Sequence, residues 1–176
     1  GRSAETEAAL LVGDPGELPS GIDGTPLSAL PWARREVTDV AALLGGRATV
    51  LTDAQASEAA VRGHLTGRSI LHFATHGVVR EDETLGSFLA LRGDRQAGQV
   101  SDSAAATATA VSSDADGRLT ADEVYELKLD ADLVVLSACS SALGPTGTEG
   151  VIGFTRAFLY AGAASVIATS WNVPDA

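Results

Sequence analysis

The sequence predicts an α/β fold, a mostly parallel sheet covered by helices on both faces. Three observations carry this. Short apolar runs alternate with segments of helical periodicity, the pattern that builds a parallel sheet through crossover helices. Two of the runs, Ile70-Leu71-His72-Phe73-Ala74-Thr75 and Leu133-Val134-Val135-Leu136-Ser137-Ala138, are apolar enough for strands buried on both faces. Each is followed at once by a reactive side chain, His76 after the first and Cys139 after the second. In open α/β sheets, ligands bind in the crevice beyond the carboxyl ends of the strands.

The elements follow in order. Ala8 to Val12 is a short strand closed by the turn sequence Gly13-Asp14-Pro15-Gly16. Leu18 to Pro31, rich in Gly and Pro, reads as loop. From Trp32 to Leu44, the spacing of Ala33, Val37, Val40, Ala41 and Leu44 predicts a helix, which Gly45-Gly46 stops. Ala48 to Leu51 is a second strand, and Ser57 caps a helix over Glu58 to Leu65. Ile70 to Thr75 is the third strand, and Phe88 to Leu91 is a short extra one.

Residues 97–116 differ in composition. They are rich in Ala, Ser and Thr and carry almost no large side chains. Such a segment buries too little apolar surface to offset its ordering entropy. It is expected to be a mobile surface insertion and not a domain boundary, because the alternating pattern resumes after it. Thr120 begins a short helix through Leu127, and Leu133 to Ala138 is the fourth strand. Thr146-Gly147-Thr148-Glu149 has the spacing of a capping box, and its helix runs to about Ala161 before Gly162. Val166 to Thr169 is a fifth strand, and the helix expected after it lies beyond Ala176. The expectation is one domain over residues 1–176, truncated at its C-terminus.

Bulk properties narrow the function. A chain of 176 residues can bury one sizeable core, and 45% hydrophobic with 20% charged residues indicates a globular protein. The net charge of −11 argues against nucleic acid and anionic membrane as partners, because binding phosphate requires a basic surface. No apolar stretch approaches the length of a membrane span, and the N-terminus lacks a signal-peptide pattern. A single cysteine excludes an intrachain disulfide and fits a reducing cytoplasm. The absence of methionine means that residue 1 is not read as a native start. The chain is expected to be part of a larger protein.

A lone cysteine with a histidine elsewhere in the chain is a candidate nucleophile and base. Cys139 would attack a carbonyl and His76 would take the thiol proton; only the sheet can bring them together. Gly77, with no Cβ, lets its N–H approach a substrate oxygen, and the Cys139 N–H is the second candidate oxyanion donor. Taken alone, Cys139 is more at home as a buried small apolar residue than as a nucleophile. This chemistry calls for no metal or cofactor. His72 is read as a hydrogen-bonded core histidine, with support of the dyad as its second role. His64 is expected on an exposed helix face.

Two further motifs carry less. Asp114 to Glu123 fits the spacing of a calcium loop, but its first position would be Ser112, and a turn at Asp116-Gly117 followed by a Thr120 cap explains the same residues. Gly144 to Gly150 lacks the Lys-Ser/Thr pair of a phosphate loop and places Glu149 at the helix start, so it reads as a loop beside Cys139.

Two segments, His72-Phe73-Ala74-Thr75-His76-Gly77 and Leu136-Ser137-Ala138-Cys139-Ser140-Ser141-Ala142, resemble the signature segments of CHAT domains. These are caspase-like cysteine peptidases related to separase and gingipains. Leu11 to Pro15, Gly150 to Ala163 and Ser170 to Asp175 resemble the opening strand, the helix after the cysteine and the tryptophan segment of that family. The resemblance implies a caspase-like sheet whose C-terminal part is missing here, with His76 and Cys139 as the catalytic pair. It implies a peptide or protein substrate, no cofactor, and a sensing or helical-repeat module in the parent protein. A regulated bacterial effector endopeptidase is the expected function; a silent protein-interaction domain of the same fold is the rival. In separase-like relatives, an acidic residue beyond the tryptophan segment receives a basic P1 side chain. Asp175 matches that place, and it also fits a helix cap after Pro174.

Overall fold

The computed structural model describes residues 9–80, 84–94, 115–137 and 148–169. Five strands form one parallel sheet: β1 (Ala9–Gly13), β2 (Ala48–Leu51), β3 (Ile70–Ala74), β7 (Leu133–Leu136) and β8 (Val166–Ala168), in the order β2-β1-β3-β7-β8. Three short strands, β4 (Gly77–Val78), β5 (Phe88–Ala90) and β6 (Arg118–Thr120), form a separate antiparallel sheet. The helices are α1 (Pro31–Leu43), α2 (Glu58–His64), α3 (Ala121–Tyr125) and α4 (Thr148–Ala161).

The period of two divides β1 and β3 between two cores, while β7 gives alternate residues to one of them. Leu10 and Val12 of β1, Leu71 and Phe73 of β3, and Val134 and Leu136 of β7 face one side. There they meet Val61 of α2, Val124 of α3, and Phe154, Ala157, Phe158 and Ala161 of α4. Those four α4 positions repeat at helical spacing, and burying one phenylalanine contributes roughly 1.5–3 kcal/mol. Ala9 and Leu11 of β1 and Ala74 of β3 face the other side, against Ala33 and Val37 of α1. Helices therefore cover both faces. Gly13 permits the close approach of α1: a Cβ there would lie 2.8 Å from the Ala33 carbonyl oxygen and 2.9 Å from Val37.

The helix ends follow their sequence signals. Ser57 accepts a hydrogen bond from the Ala60 N–H at the start of α2. Thr120 and Glu123 form a reciprocal capping box at α3. The α3 helix is shorter than predicted, ending at Tyr125. Glu123 is thereby occupied as a cap and as a partner of Arg62, and the Asp116 side chain accepts from the Arg118 N–H. The turn-and-cap reading of this segment is the one observed. Among the described residues, no cluster of three or more His, Cys, Asp or Glu is placed to hold a metal, and no helix is long and apolar enough to cross a membrane.

Most of the predicted insertion, residues 97–114, lies outside the described residues. The segments that bracket it are joined. Asp94 N–H donates to the Ala115 carbonyl at 2.9 Å, and Leu91 N–H to the Gly117 carbonyl at 2.7 Å. Glu58 is buried at this junction, and its carboxylate accepts from the Gly117 N–H at 3.0 Å. Burial, aided by the nearby charges of Glu123 and Asp116, pushes the Glu58 carboxyl up to about 7. The folded protein thus holds a proton that the unfolded chain has already lost. That contribution is full below pH 4.5 and is lost as pH rises through about 7. At about 1.4 kcal/mol per pH unit it is on the order of 3 kcal/mol. Glu58→Gln should therefore flatten the decline in stability between pH 5 and 8, read by urea unfolding at both values. Equal declines in the two proteins would show that Glu58 is not its source.

Candidate active site

Strand order reverses about β1: the chain moves from β1 to β2 on one side, then to β3 on the other. The crevice beyond the carboxyl ends of β1 and β3 is the switch point where such sheets bind ligands. His76 sits there, two residues past β3, and is buried. Its Nε2 lies 2.7 Å from the Ser28 carbonyl oxygen. A carbonyl can only accept, so Nε2 carries the proton and Nδ1 is the basic nitrogen of the neutral ring.

The Ser28 carbonyl is held in place by the loop after β1. Leu18 and Leu27 of that loop pack on Val78, Phe88 and Ala90 of the small sheet. Ser20 pairs with Pro26, and Arg118 Nη2 donates to the Ser20 carbonyl at 3.1 Å. At the start of the loop, Arg34 of α1 donates to Asp14 Oδ2 through Nη2 at 2.7 Å and Nε at 3.1 Å, and also binds Asp53. Those hydrogen bonds from the guanidinium hold the Asp53 carboxyl below the usual carboxylate range.

The backbone on either side of His76 is fixed too. Ala90 N–H donates to the His76 carbonyl at 2.8 Å, and the Thr75 hydroxyl donates to the Ala90 carbonyl. Bonded and non-bonded pairs alternate along an antiparallel ladder. His76 and Ala90 mark a bonded pair, so Gly77, opposite Leu89, occupies a non-bonded one and its N–H points away from β5. This small sheet was legible only as its middle strand.

β3 and β7 are adjacent and parallel, as the sequence predicts, with Phe73 opposite Leu136. His76 and Cys139 each lie three residues further along the sequence from that pair. Cys139 itself, residues 140–147 and Asp175 with its tryptophan segment lie outside the described residues.

A second polar group lies on the α1 face of the sheet. Glu36 of α1 lies 2.8 Å from His72 Nε2 through Oε1 and accepts from the Ser137 hydroxyl at 3.2 Å through Oε2. Burial pushes the Glu36 carboxyl up, but the hydrogen bonds from His72 and Ser137 and the His72 charge outweigh it, leaving the carboxyl below its ordinary value. His72 is thus a buried, hydrogen-bonded histidine, as expected. His64 departs from expectation: it is half-buried, with Nδ1 2.7 Å from the Ala60 carbonyl oxygen one turn earlier.

Sequence reasoning did not find Ser28, Glu36 or Ser137. Ser28 acts through its backbone and leaves no mark in the sequence. Glu36 did leave one: it stands three residues after Ala33 and four before Val40, a carboxylate set within the buried stripe of α1.

A family model described as CHAT domain matches residues 1–176. Tetratricopeptide repeat protein 28 of Mus musculus is 31% identical over 191 residues, covering 99% of this chain and 8% of that protein. Its namesake in Homo sapiens is 32% identical over 191 residues, with the same coverage. The chain therefore spans a small part of the length of the curated relatives it matches. Its parallel sheet, its helices on both faces and the full-length match agree: the chain belongs to the CHAT domain family, whose setting is that of caspase-like cysteine peptidases.

Proposed function

We propose that this domain is a cysteine endopeptidase acting through His76 and Cys139. The observation that carries the reading is the bond from His76 Nε2 to the Ser28 carbonyl, which leaves Nδ1 basic at the end of the strand beside β7. In this reading His76 Nδ1 takes the Cys139 thiol proton and Sγ attacks the scissile carbonyl. The Gly77 and Cys139 N–H groups hold the oxyanion. His76 then protonates the leaving amine, and water, giving a proton to His76, releases the acyl group and restores the thiol.

The substrate is a peptide or protein. Asp175 forms the pocket for its P1 side chain, and a carboxylate there favours Arg over Lys through a bidentate pair. Among peptides differing only at P1, Arg preference should vanish in Asp175→Ala while cleavage after an apolar residue is kept. Equal loss for every peptide would mean that Asp175 supports the fold instead. By analogy with the named relatives, the domain works beside tetratricopeptide repeats that sense a partner and switch it on. It acts in the cytoplasm, where its one cysteine stays reduced.

A thiol-reactive peptide probe applied to the full-length protein tests the function. The expected result is labelling at Cys139 that is lost in both Cys139→Ala and His76→Ala. Labelling no faster than that of an unfolded control would favour a silent interaction domain.

A further inference from the structure

We infer that Glu36 is a positioning residue, whose carboxylate ties the exit of β7, through Ser137, to β3, through His72. This rests on the cysteine-peptidase reading for its kinetic consequences. The geometry stands by itself. β3 and β7 each carry one member of the reactive pair just past their carboxyl ends: His76 follows His72 by four residues, and Cys139 follows Ser137 by two. Backbone pairing holds the two strands as far as Phe73 and Leu136. Ser137 is the last described residue before Cys139, one position past that pair.

Glu36 meets both strands from outside the sheet, at His72 within the paired stretch and at Ser137 one residue past it. One oxygen meets His72 Nε2 at 2.8 Å and the other accepts from Ser137 Oγ at 3.2 Å. The carboxylate is planar and both its oxygens are engaged, so its orientation is set by two strands at once. Its own helix is fixed against the sheet by Ala33 and Val37, the residues before and after it on the buried stripe. A supporting shell of this kind holds reacting groups to within a fraction of an ångström, and small misplacement is costly in rate.

The test uses the full-length protein and two readouts. One is kcat and KM for a cleaved peptide. The other needs no turnover: the pH midpoint for alkylation of Cys139 by iodoacetamide, read by mass spectrometry of the Cys139 peptide. In the wild type, the midpoint should lie below the ordinary thiol value of about 8.5, because the imidazolium of His76 stabilises the thiolate. Glu36→Ala should lower kcat by about 10- to 100-fold with KM nearly unchanged, and raise the midpoint towards the ordinary value. Glu36→Gln keeps the shape: its amide oxygen accepts from His72 and its NH2 donates to the Ser137 hydroxyl. It should stay within about threefold of wild type, a rescue that a loss of charge alone would not allow. Should Glu36→Ala fail to fold, Ser137→Ala removes one of the two bonds and should lower kcat by about three- to tenfold. A depressed wild-type midpoint that neither Glu36→Ala nor Ser137→Ala alters, with kcat unchanged, overturns the inference while leaving the dyad standing. An ordinary midpoint in the wild type overturns the dyad reading and this inference with it.

Discussion

Replacing His76 with alanine in the full-length protein should lower kcat for peptide cleavage by about 10²- to 10⁴-fold, the range that a positioned general base supplies. Cys139→Ala should abolish cleavage, because no other thiol in this chain can form the acyl intermediate. Residues that act as one unit are not additive, so the double variant should be no worse than Cys139→Ala. The pH profile discriminates further. With His76 as base, kcat/KM in the wild type rises through one group and falls through another, and His76→Ala loses the histidine limb. Full activity in His76→Ala would mean that Nδ1 is not the base, whatever holds its Nε2.

The second large effect is on stability. Gly162→Ala should destabilise the domain by about 4 kcal/mol, combining a forbidden backbone angle with a backbone clash. Gly162 ends α4 at φ +114, where an L side chain is strained. It closes a Schellman motif, with Ala163 N–H donating to the Phe158 carbonyl at 3.0 Å and Gly162 N–H to the Leu159 carbonyl at 3.2 Å. The segment before β7 is laced to this turn: Leu129 N–H donates to the Ala161 carbonyl at 2.7 Å, and Ala164 N–H to the Ala131 carbonyl at 2.8 Å. A Cβ on Gly162 would lie 2.3 Å from the Leu129 carbonyl oxygen. That atom belongs to the backbone and cannot swing aside. A loss of this size takes a large share of the stability of an ordinary domain. Denaturant unfolding of the variant would read it, and a change below 1 kcal/mol would show that the turn relaxes.

The parts of the fold that were legible are those that local chemistry dictates. The stripe of α1, the caps Ser57 and Thr120 and the stop at Gly162 each satisfy or end a helix by themselves. The apolar runs of β1, β3 and β7 declared strands; burial on both faces, expected of β3 and β7, holds for β3, whereas Leu133 and Val135 leave one face of β7 half-buried. β4 and β6 could not be read, because Gly77-Val78 and Arg118-Leu119-Thr120 are too short to show a period and exist through pairing with β5. His64 was misread as exposed because helical position alone does not reveal the bond to Ala60. In the candidate site, the position of His76 and Gly77 just past an apolar strand was legible. The Ser28 carbonyl was not, since any residue could supply it and only the packing of Leu18 and Leu27 brings it to His76. Glu36 carried a signal, an acid on a buried stripe, whose partners on two distant strands only the fold could reveal.

The central claim is that His76 and Cys139 converge on one carbonyl. The most direct measurement is an experimental structure of the full-length protein with a peptide aldehyde bound. The account predicts a hemithioacetal on Cys139 Sγ, with the His76 ring at hydrogen-bonding distance through Nδ1, its Nε2 still on the Ser28 carbonyl, and the adduct oxygen against the Gly77 N–H. An unmodified Cys139 buried on the face of the sheet away from His76 would contradict it.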